Sequence, residues 1–351
     1  MSAAATSAGQ SAAVSGAALP QRGRPPGRPR IVVLDDWENA LRERVDWKSI
    51  GAHADVALHN TMLRGDALLD ALQEAHCLVL IRDRTPMPGE LLRRLPELRH
   101  VVFTGTRNTK LDLKTASELG ILVSHTEWGP SKASTCEMTW SLILAAARGI
   151  PGLALTQSGS AWRDPSQVAF LPPVLHGERL GLVGLGQIGQ RVAAVGRALG
   201  MEVVTWSPHM TPERAAEHGA VSVTLEDLLS TSRVVSLHLV PSPPTRHLLN
   251  RERLGLMRPD SILVNTSRAD LVDTDALVQA LRARRPGFGA FDVFDTEPLP
   301  KDHPLLALDN VLLTPHYGFV AEPVFQEFAR GVRRNLDAWL AGEAVPNSVA
   351  A

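Results

Sequence analysis

Three side chains toward the C-terminal end of this chain could do chemistry together: Arg268, Glu297 and His316. A guanidinium can pair with a carboxylate through two parallel hydrogen bonds. An imidazole moves a proton near neutral pH, and a carboxylate beside it favours and orients its charged form. Upstream lies Leu180-Gly-Leu-Val-Gly-Leu-Gly-Gln-Ile-Gly189, a glycine-rich turn of the kind that holds a pyrophosphate. A cation, a proton carrier with its supporting acid and a dinucleotide turn are what hydride transfer to a 2-oxo acid requires.

Each of the three follows a short apolar run. Asn265-Thr-Ser-Arg268 comes after Ser261–Val264, and Asp292-Val-Phe-Asp-Thr-Glu-Pro298 comes after Phe288–Phe291. Thr314-Pro-His316-Tyr-Gly318 follows Val311–Leu313. As parallel strands of one sheet, these runs would present all three residues at the carboxyl end, where open α/β sheets gather ligands. Singly, each has a plain structural explanation: a helix-capping Arg, an exposed Glu, a satisfied core His. Their recurrence at three successive strand ends argues for chemistry.

The turn itself follows the apolar run Leu180–Val183 and is expected to open a helix over Gln190–Leu199. Gly184 permits the tight bend, Gly186 lets a phosphate approach the backbone, and Gly189 allows close helix–strand packing. The ribose-reading position falls about 20 residues on, at the end of the next strand. There the chain runs Val203-Val-Thr-Trp-Ser207-Pro-His-Met-Thr211, without an acid. A missing Asp removes hydrogen bonds to the ribose hydroxyls and also removes repulsion of a 2′-phosphate. No Arg follows to hold such a phosphate either, and His209 is the only candidate. NAD and NADP stay close on these grounds, with a lean toward NAD.

The elements that must position these residues alternate along the chain. Apolar runs at Ile31–Leu34, Asp55–Leu58, Cys77–Ile81, His100–Phe103 and Ile121–Val123 predict one set of strands. Leu180–Val183, Glu202–Thr205, Val234–Leu237, Ser261–Val264, Phe288–Phe291 and Val311–Leu313 predict a second set. Helical patterns at Gly65–Glu74, Pro88–Leu95, Ser131–Arg148 and Ala321–Leu340 lie between or after them. Unbroken apolar runs suit parallel strands covered on both faces, so the expected class is α/β. Ser158–Pro173, rich in Trp, Pro and Gly, predicts an extended arm. The last helical pattern has no following partner and is expected to pack on the first unit.

Composition narrows the field. With 351 residues and 44% apolar content the chain can build two cores. Its 36 basic and 37 acidic side chains leave no field for nucleic acid. No apolar run reaches the ~18 residues that would span a bilayer. Cys77 and Cys136 lack metal-ligand spacing and are expected to be packed thiols of a cytoplasmic protein. Residues 1–29, acid-free and dominated by Ala, Ser, Gly and Pro, are expected to form a disordered leader rather than an import signal.

The motifs together resemble the D-isomer-specific 2-hydroxyacid dehydrogenases, over about residues 31–345. The resemblance rests on Asn265-Thr-Ser-Arg-Ala-Asp-Leu-Val-Asp273, Asp292-Val-Phe-Asp-Thr-Glu-Pro-Leu299 and Leu313-Thr-Pro-His316. Leu119-Gly-Ile-Leu-Val123, Cys136-Glu137 and Arg148 add to it. It implies two Rossmann-like domains with parallel sheets: an NAD(P)-binding domain over 127–316, and a discontinuous flavodoxin-like substrate domain over 30–126 plus 317–345. It also implies that Arg268 binds the substrate carboxylate and carbonyl, that His316 is the acid/base, and that Glu297 orients it. Gln187 and Ile188 match the pyrophosphate-binding backbone, Ser207 the ribose position, and His238 and Val240 an adenosine-side loop. Thr266, Ser267 and Tyr317 through Gly318 to Phe319 match cofactor-lining positions, and Asp292 matches a partner of the nicotinamide carboxamide. On the substrate side Arg82 matches a family arginine. Thr106 and Arg107 fall in the loop that cradles a carboxylate. The resemblance further implies a homodimer, assembled with residues 130–175, and chemistry on a small 2-oxo or 2-hydroxy acid without a metal.

Three departures set the chain apart from the pattern. Arg107 stands where a glycine is usual, Trp128 replaces a common Pro before Gly129, and Ala269-Asp270 replaces a Gly-Gly after Arg268. They imply an outlying subfamily whose substrate need not be lactate, glycerate or phosphoglycerate. Formate oxidation is disfavoured because the family's formate enzymes carry Gln where this chain has Glu297. Phosphite oxidation uses the same trio. A dinucleotide-sensing, corepressor-like binding protein is the alternative of another class.

Overall fold

The computed structural model describes residues 25–151 and 171–349. The leader up to residue 24 and most of the expected arm lie outside them. The chain divides into two compact units, residues 1–128 with 325–351 and residues 129–324.

The first unit carries a five-stranded sheet, all of whose pairs are parallel, in the order β2-β1-β3-β4-β5. Its strands are β1 (Arg30–Leu34), β2 (Asp55–Leu58), β3 (Cys77–Leu80), β4 (His100–Phe103) and β5 (Leu122–His125). This is the flavodoxin-like order, with direction reversing at β1/β3. The long helix Glu322–Ala341 contributes Phe328, Val332 and Leu336, all buried, and most of it belongs to this unit. Asn335 on that helix donates to the carbonyl of His125 at the end of β5.

The second unit is a seven-stranded parallel sheet, ordered β12-β11-β10-β9-β6-β7-β8. It comprises β6 (Arg179–Val183), β7 (Glu202–Trp206), β8 (Val221–Ser222), β9 (Val234–Leu237), β10 (Ile262–Asn265), β11 (Phe288–Phe291) and β12 (Val311–Leu313). Strand residues alternate between two cores. Leu180, Leu182, Val234, Ile262 and Val264 face a layer containing Trp140, Ile143 and Val192. Val183, Val235, Leu237, Leu263 and Phe291 face Leu228, Leu254, Leu277 and Leu281. Burying each such side chain stabilises the fold by about 1.5–3 kcal/mol, which is why these runs lack polar alternation.

Several boundaries differ from the sequence-based expectation, two of them near the site. The second domain boundary falls after Val324 rather than after His316. Tyr317 and Gly318 donate their amides to Asp292, and Ser134 donates to the Gly318 carbonyl, which ties this stretch to the second unit. The helix after the glycine turn begins at Gln187, three residues early, because the turn is completed by Gly186 as its N-cap. The two-residue strand β8 went unforeseen; so short a run carries no periodicity. Cys77 and Cys136 are buried, and among the described residues no helix is long and apolar enough to cross a membrane.

Candidate active site

Six strands of the second sheet end on one register row. Val183 pairs with Trp206 on one side and Leu237 on the other; Leu237 pairs with Asn265, Asn265 with Phe291, and Phe291 with Leu313. The next residues along the chain are therefore Ser207, Gly184, His238, Thr266, Asp292 and Thr314. Nearly every candidate site residue of this unit lies at, or a few positions beyond, that row. Direction reverses at β6, so the glycine turn sits at the topological switch point.

The turn fits a dinucleotide phosphate. Gly184 has φ +103°, and a Cβ there would meet the His238 carbonyl at 2.9 Å. A Cβ on Gly189 would lie 2.4 Å from the Gly184 oxygen, so only glycine lets helix and turn pack this closely. At Gly186 a Cβ would meet nothing within 4 Å: here the backbone is bare toward open space. The helix Gln187–Ala198 starts at that point without a side-chain cap, leaving its first amides for an anion. Gln187 is exposed there, and Ile188 packs against the core. His238 bonds Ser236 through Nε2 at 2.9 Å, and burial pushes its pKa down to about 4, so it is neutral. Val240 is exposed beyond it.

The loop after β10 is built around Asn265, which is buried and whose amide accepts from the Ser267 N–H and donates to the Arg268 carbonyl. Ser267 donates its hydroxyl to the Leu239 carbonyl, and Thr266 shares a 2.8 Å hydroxyl bond with Thr139. Arg268 is half-buried and donates Nη1 to the Ser267 carbonyl at 2.7 Å.

His316 and Glu297 meet. Nδ1 of the imidazole lies 2.7 Å from Oε2 of the carboxylate, whose Oε1 accepts from the Phe294 amide at 2.9 Å. Both side chains are about a quarter exposed. His316 has φ +54°, a left-handed conformation that costs a non-glycine residue about 1–3 kcal/mol and needs support from its surroundings. Asp292 provides it. This carboxylate is buried and accepts from the Thr314 hydroxyl and from the amides of Tyr317 and Gly318, bracketing His316. Burial raises the Asp292 pKa, while those hydrogen bonds oppose the rise. The phenol-bearing Tyr317 is half exposed.

In the first unit the candidate Arg82 is buried, also at φ +54°. Its Nη1 donates to the carbonyls of Thr104 and Arg107, and its guanidinium lies 4.1 Å from the centroid of the Trp128 ring. A Cβ on Gly105 would strike that guanidinium at 2.3 Å. The bonds to Thr104 and Arg107 tie Nη1 to the loop after β4. Trp128 accordingly has a role, as the face on which Arg82 stacks. Thr106 is half-buried and Arg107 is exposed beside it.

Several residues that matter were not singled out from sequence. Thr139 and Thr314 act by bonding the Thr266 hydroxyl and the Asp292 carboxylate, both distant in the chain, and Asn265 by bonding the backbone of its own loop; no spacing announces these pairings. Arg214 is different: seven residues past Ser207, it returns to donate Nη1 to the His209 carbonyl at 2.7 Å. The signal was Thr211-Pro212, a helix start that turns the chain back on itself. Among the described residues no group of three or more His, Cys, Asp or Glu could hold a metal ion.

Comparisons with known proteins place relatives beside this chain. A family model described as the D-isomer specific 2-hydroxyacid dehydrogenase, NAD binding domain, matches residues 140–318. A glyoxylate reductase of Aeropyrum pernix is 39% identical over 289 residues, covering 81% of this chain and 85% of that protein. A D-3-phosphoglycerate dehydrogenase of Methanocaldococcus jannaschii is 34% identical over 82% of this chain, which spans only 54% of that longer relative. Among solved structures, a phosphoglycerate oxidoreductase from Vibrio cholerae O395 aligns with a TM-score of 0.79 at 34% identity, covering 87% of this chain and 98% of that one.

Proposed function

The chain belongs to the D-isomer-specific 2-hydroxyacid dehydrogenase family, and on that premise we propose that His316 is its acid/base, Glu297 its orienting acid and Arg268 its substrate-binding cation. The protein is an NAD(P)-dependent oxidoreductase of 2-oxo and 2-hydroxy acids. When bound, the reduced dinucleotide supplies the hydride. The first amides of the helix Gln187–Ala198 and the bare backbone at Gly186 would hold its pyrophosphate.

The observation that carries these roles is the 2.7 Å bond between His316 Nδ1 and Glu297. With Nδ1 committed to the carboxylate, Nε2 is the atom that exchanges a proton with substrate. In the reducing direction, Nε2 gives a proton to the carbonyl oxygen as the carbon accepts hydride, and the imidazolium becomes neutral. Oxidation of the hydroxy acid runs the same transfer backward. Arg268 pairs its planar fork with the carboxylate and stabilises negative charge developing on the oxygen. Asp292 fixes the backbone on both sides of His316, and the nicotinamide carboxamide is the further partner the resemblance gives it. Glyoxylate and hydroxypyruvate head the substrates, supported by the likeness to a glyoxylate reductase.

A cytoplasmic homodimer completes the proposal. The buried, unpaired cysteines support a reducing compartment. Exposed Leu144, Ile150, Leu171 and Val174, in and after the helix Ser131–Arg148, support apolar self-association. The test is a panel of 2-oxo acids assayed with NADH and NADPH side by side. Turnover of small unbranched members is expected; no turnover of any 2-oxo acid with either cofactor would sink the reading.

A further inference from the structure

Within the first unit, the end of the short helix Ala40–Arg44 and the chain just beyond it run beside the middle of the helix Glu322–Ala341. An open groove of about 810 Å³ lies between them, within the usual size of a small-molecule site. Arg44, Arg330, Arg333 and Arg334 line it, against two acids, Asp46 and Glu327. The whole chain has a net charge of -1, so this excess is a local arrangement and not the mark of a basic protein.

The four cations are not equivalent. Arg333 donates Nε to Asp337 at 2.6 Å and Nη2 to the Ser49 hydroxyl at 3.1 Å, and its Nη1 lies 3.4 Å from the Asp46 carboxylate. It therefore ties the long helix to the turn that starts Trp47–Ile50. Arg330 donates to Glu327 at 2.6 Å, from the exposed side of the same helix. Arg44 lies 3.7 Å from Glu43, beyond hydrogen-bond reach. Asp46 and Glu327 each already hold an arginine, which leaves Arg44 and Arg334 in excess. Arg330 and Arg334 also stand four residues apart on one helix face, a placing of like charges that destabilises a helix and that a shared anion would relieve. Val45 and Ala329, both buried, give the groove an apolar lining.

We propose that this groove binds a small organic anion with two phosphoryl groups, a diphosphate or bisphosphate, through Arg44, Arg330 and Arg334. Guanidinium forks pair with phosphoryl oxygens through parallel, charge-assisted hydrogen bonds. Two uncancelled cations match two anionic groups, and the apolar lining suits a carbon skeleton. Arg333, held by three partners, keeps the helix in place for the others. The site shares no residue with the catalytic trio or the dinucleotide turn, and it does not rest on the roles given to them.

The test is calorimetric titration of the full-length protein with inorganic pyrophosphate, the phosphoryl pair alone, and with inorganic phosphate. The protein is first saturated with NADH or NADPH, so that the glycine turn is filled. Pyrophosphate is expected to bind about 10-fold or more tightly than phosphate, because it engages more than one guanidinium. Arg330→Gln combined with Arg334→Gln should weaken pyrophosphate binding by about 10- to 100-fold, the worth of charge-assisted hydrogen bonds. Its melting temperature should match the wild type, since both side chains are exposed. No binding of pyrophosphate by the wild type, equal affinity for the two anions, or undiminished binding in the double variant would overturn the assignment.

Discussion

His316 and Arg82 occupy matching places in the two units. Each stands just past a parallel strand, and each is held at φ +54°. Their side chains have opposite fates. Arg82 is buried, bonded to two carbonyls of the loop after β4 and stacked on Trp128. His316 is partly exposed and has one ring nitrogen committed to Glu297. Backbone strain at a strand end thus marks a side chain that the fold places deliberately, without saying what for. The partners differ: Arg82 bonds carbonyls of a neighbouring loop, and His316 bonds a carboxylate.

The largest effect expected from this contrast is on turnover. His316→Ala should lower kcat by about 10²–10⁴-fold, the usual worth of acid–base help, with dinucleotide affinity retained. Steady-state kinetics combined with fluorescence titration of NAD(P)H would show it; unchanged turnover would erase the distinction between the two residues. Arg268→Lys should lower kcat/KM by about 10²–10³-fold, because an ammonium cannot supply the planar fork at a developing oxyanion. Near wild-type kinetics there would reassign the substrate cation.

The same contrast extends to histidines. His100 is fully buried in the first unit, between Ser124 at 2.8 Å and Cys77, and burial pushes its pKa down to about 3. Above about pH 6.5 it is neutral in folded and unfolded chains alike and adds no pH dependence. Between there and about pH 3 only the unfolded chain takes up the proton, so stability falls as pH falls, by about 1.4 kcal/mol per unit at most. Denaturant unfolding of wild type and His100→Gln across pH 4–7 should show a shallower slope in the variant. Identical slopes would mean that this histidine does not set the acid response.

The smallest effect is the reciprocal one. Arg82→Ala should cost about 1–3 kcal/mol of stability, since it strips buried carbonyls of a charged donor and frees Trp128. His316→Ala should shift stability by less. A thermal melt in which His316→Ala proves the more damaging would reverse the roles drawn from their surroundings.

Much of this was legible in the chain. The runs Asp55–Leu58, His100–Phe103, Val234–Leu237, Phe288–Phe291 and Val311–Leu313 coincide with strands, the inner ones because burial on both faces favours apolar side chains. The trio was legible because each member follows such a run. What stayed hidden depends on pairings across the chain. Asp292 resembles a strand-end acid like any other until Thr314, Tyr317 and Gly318 are seen to converge on it. Arg82 was legible as a candidate substrate cation, but its stacking on Trp128 and its bonds to two carbonyls were not. Arg214 was hidden by a reversal in the backbone at Thr211-Pro212, which folds its side chain back onto the His209 carbonyl five residues earlier.

The central claim is that Arg268 and the His316–Glu297 pair act on one substrate. Its most direct test is a crystal structure of the protein with NAD(P)+ and oxamate, a carboxylate-bearing mimic of a 2-oxo acid. The account predicts the oxamate carboxylate paired with the Arg268 guanidinium and its carbonyl oxygen within hydrogen-bond reach of His316 Nε2. Oxamate bound away from Arg268, or an imidazole turned from it toward solvent, would contradict the account.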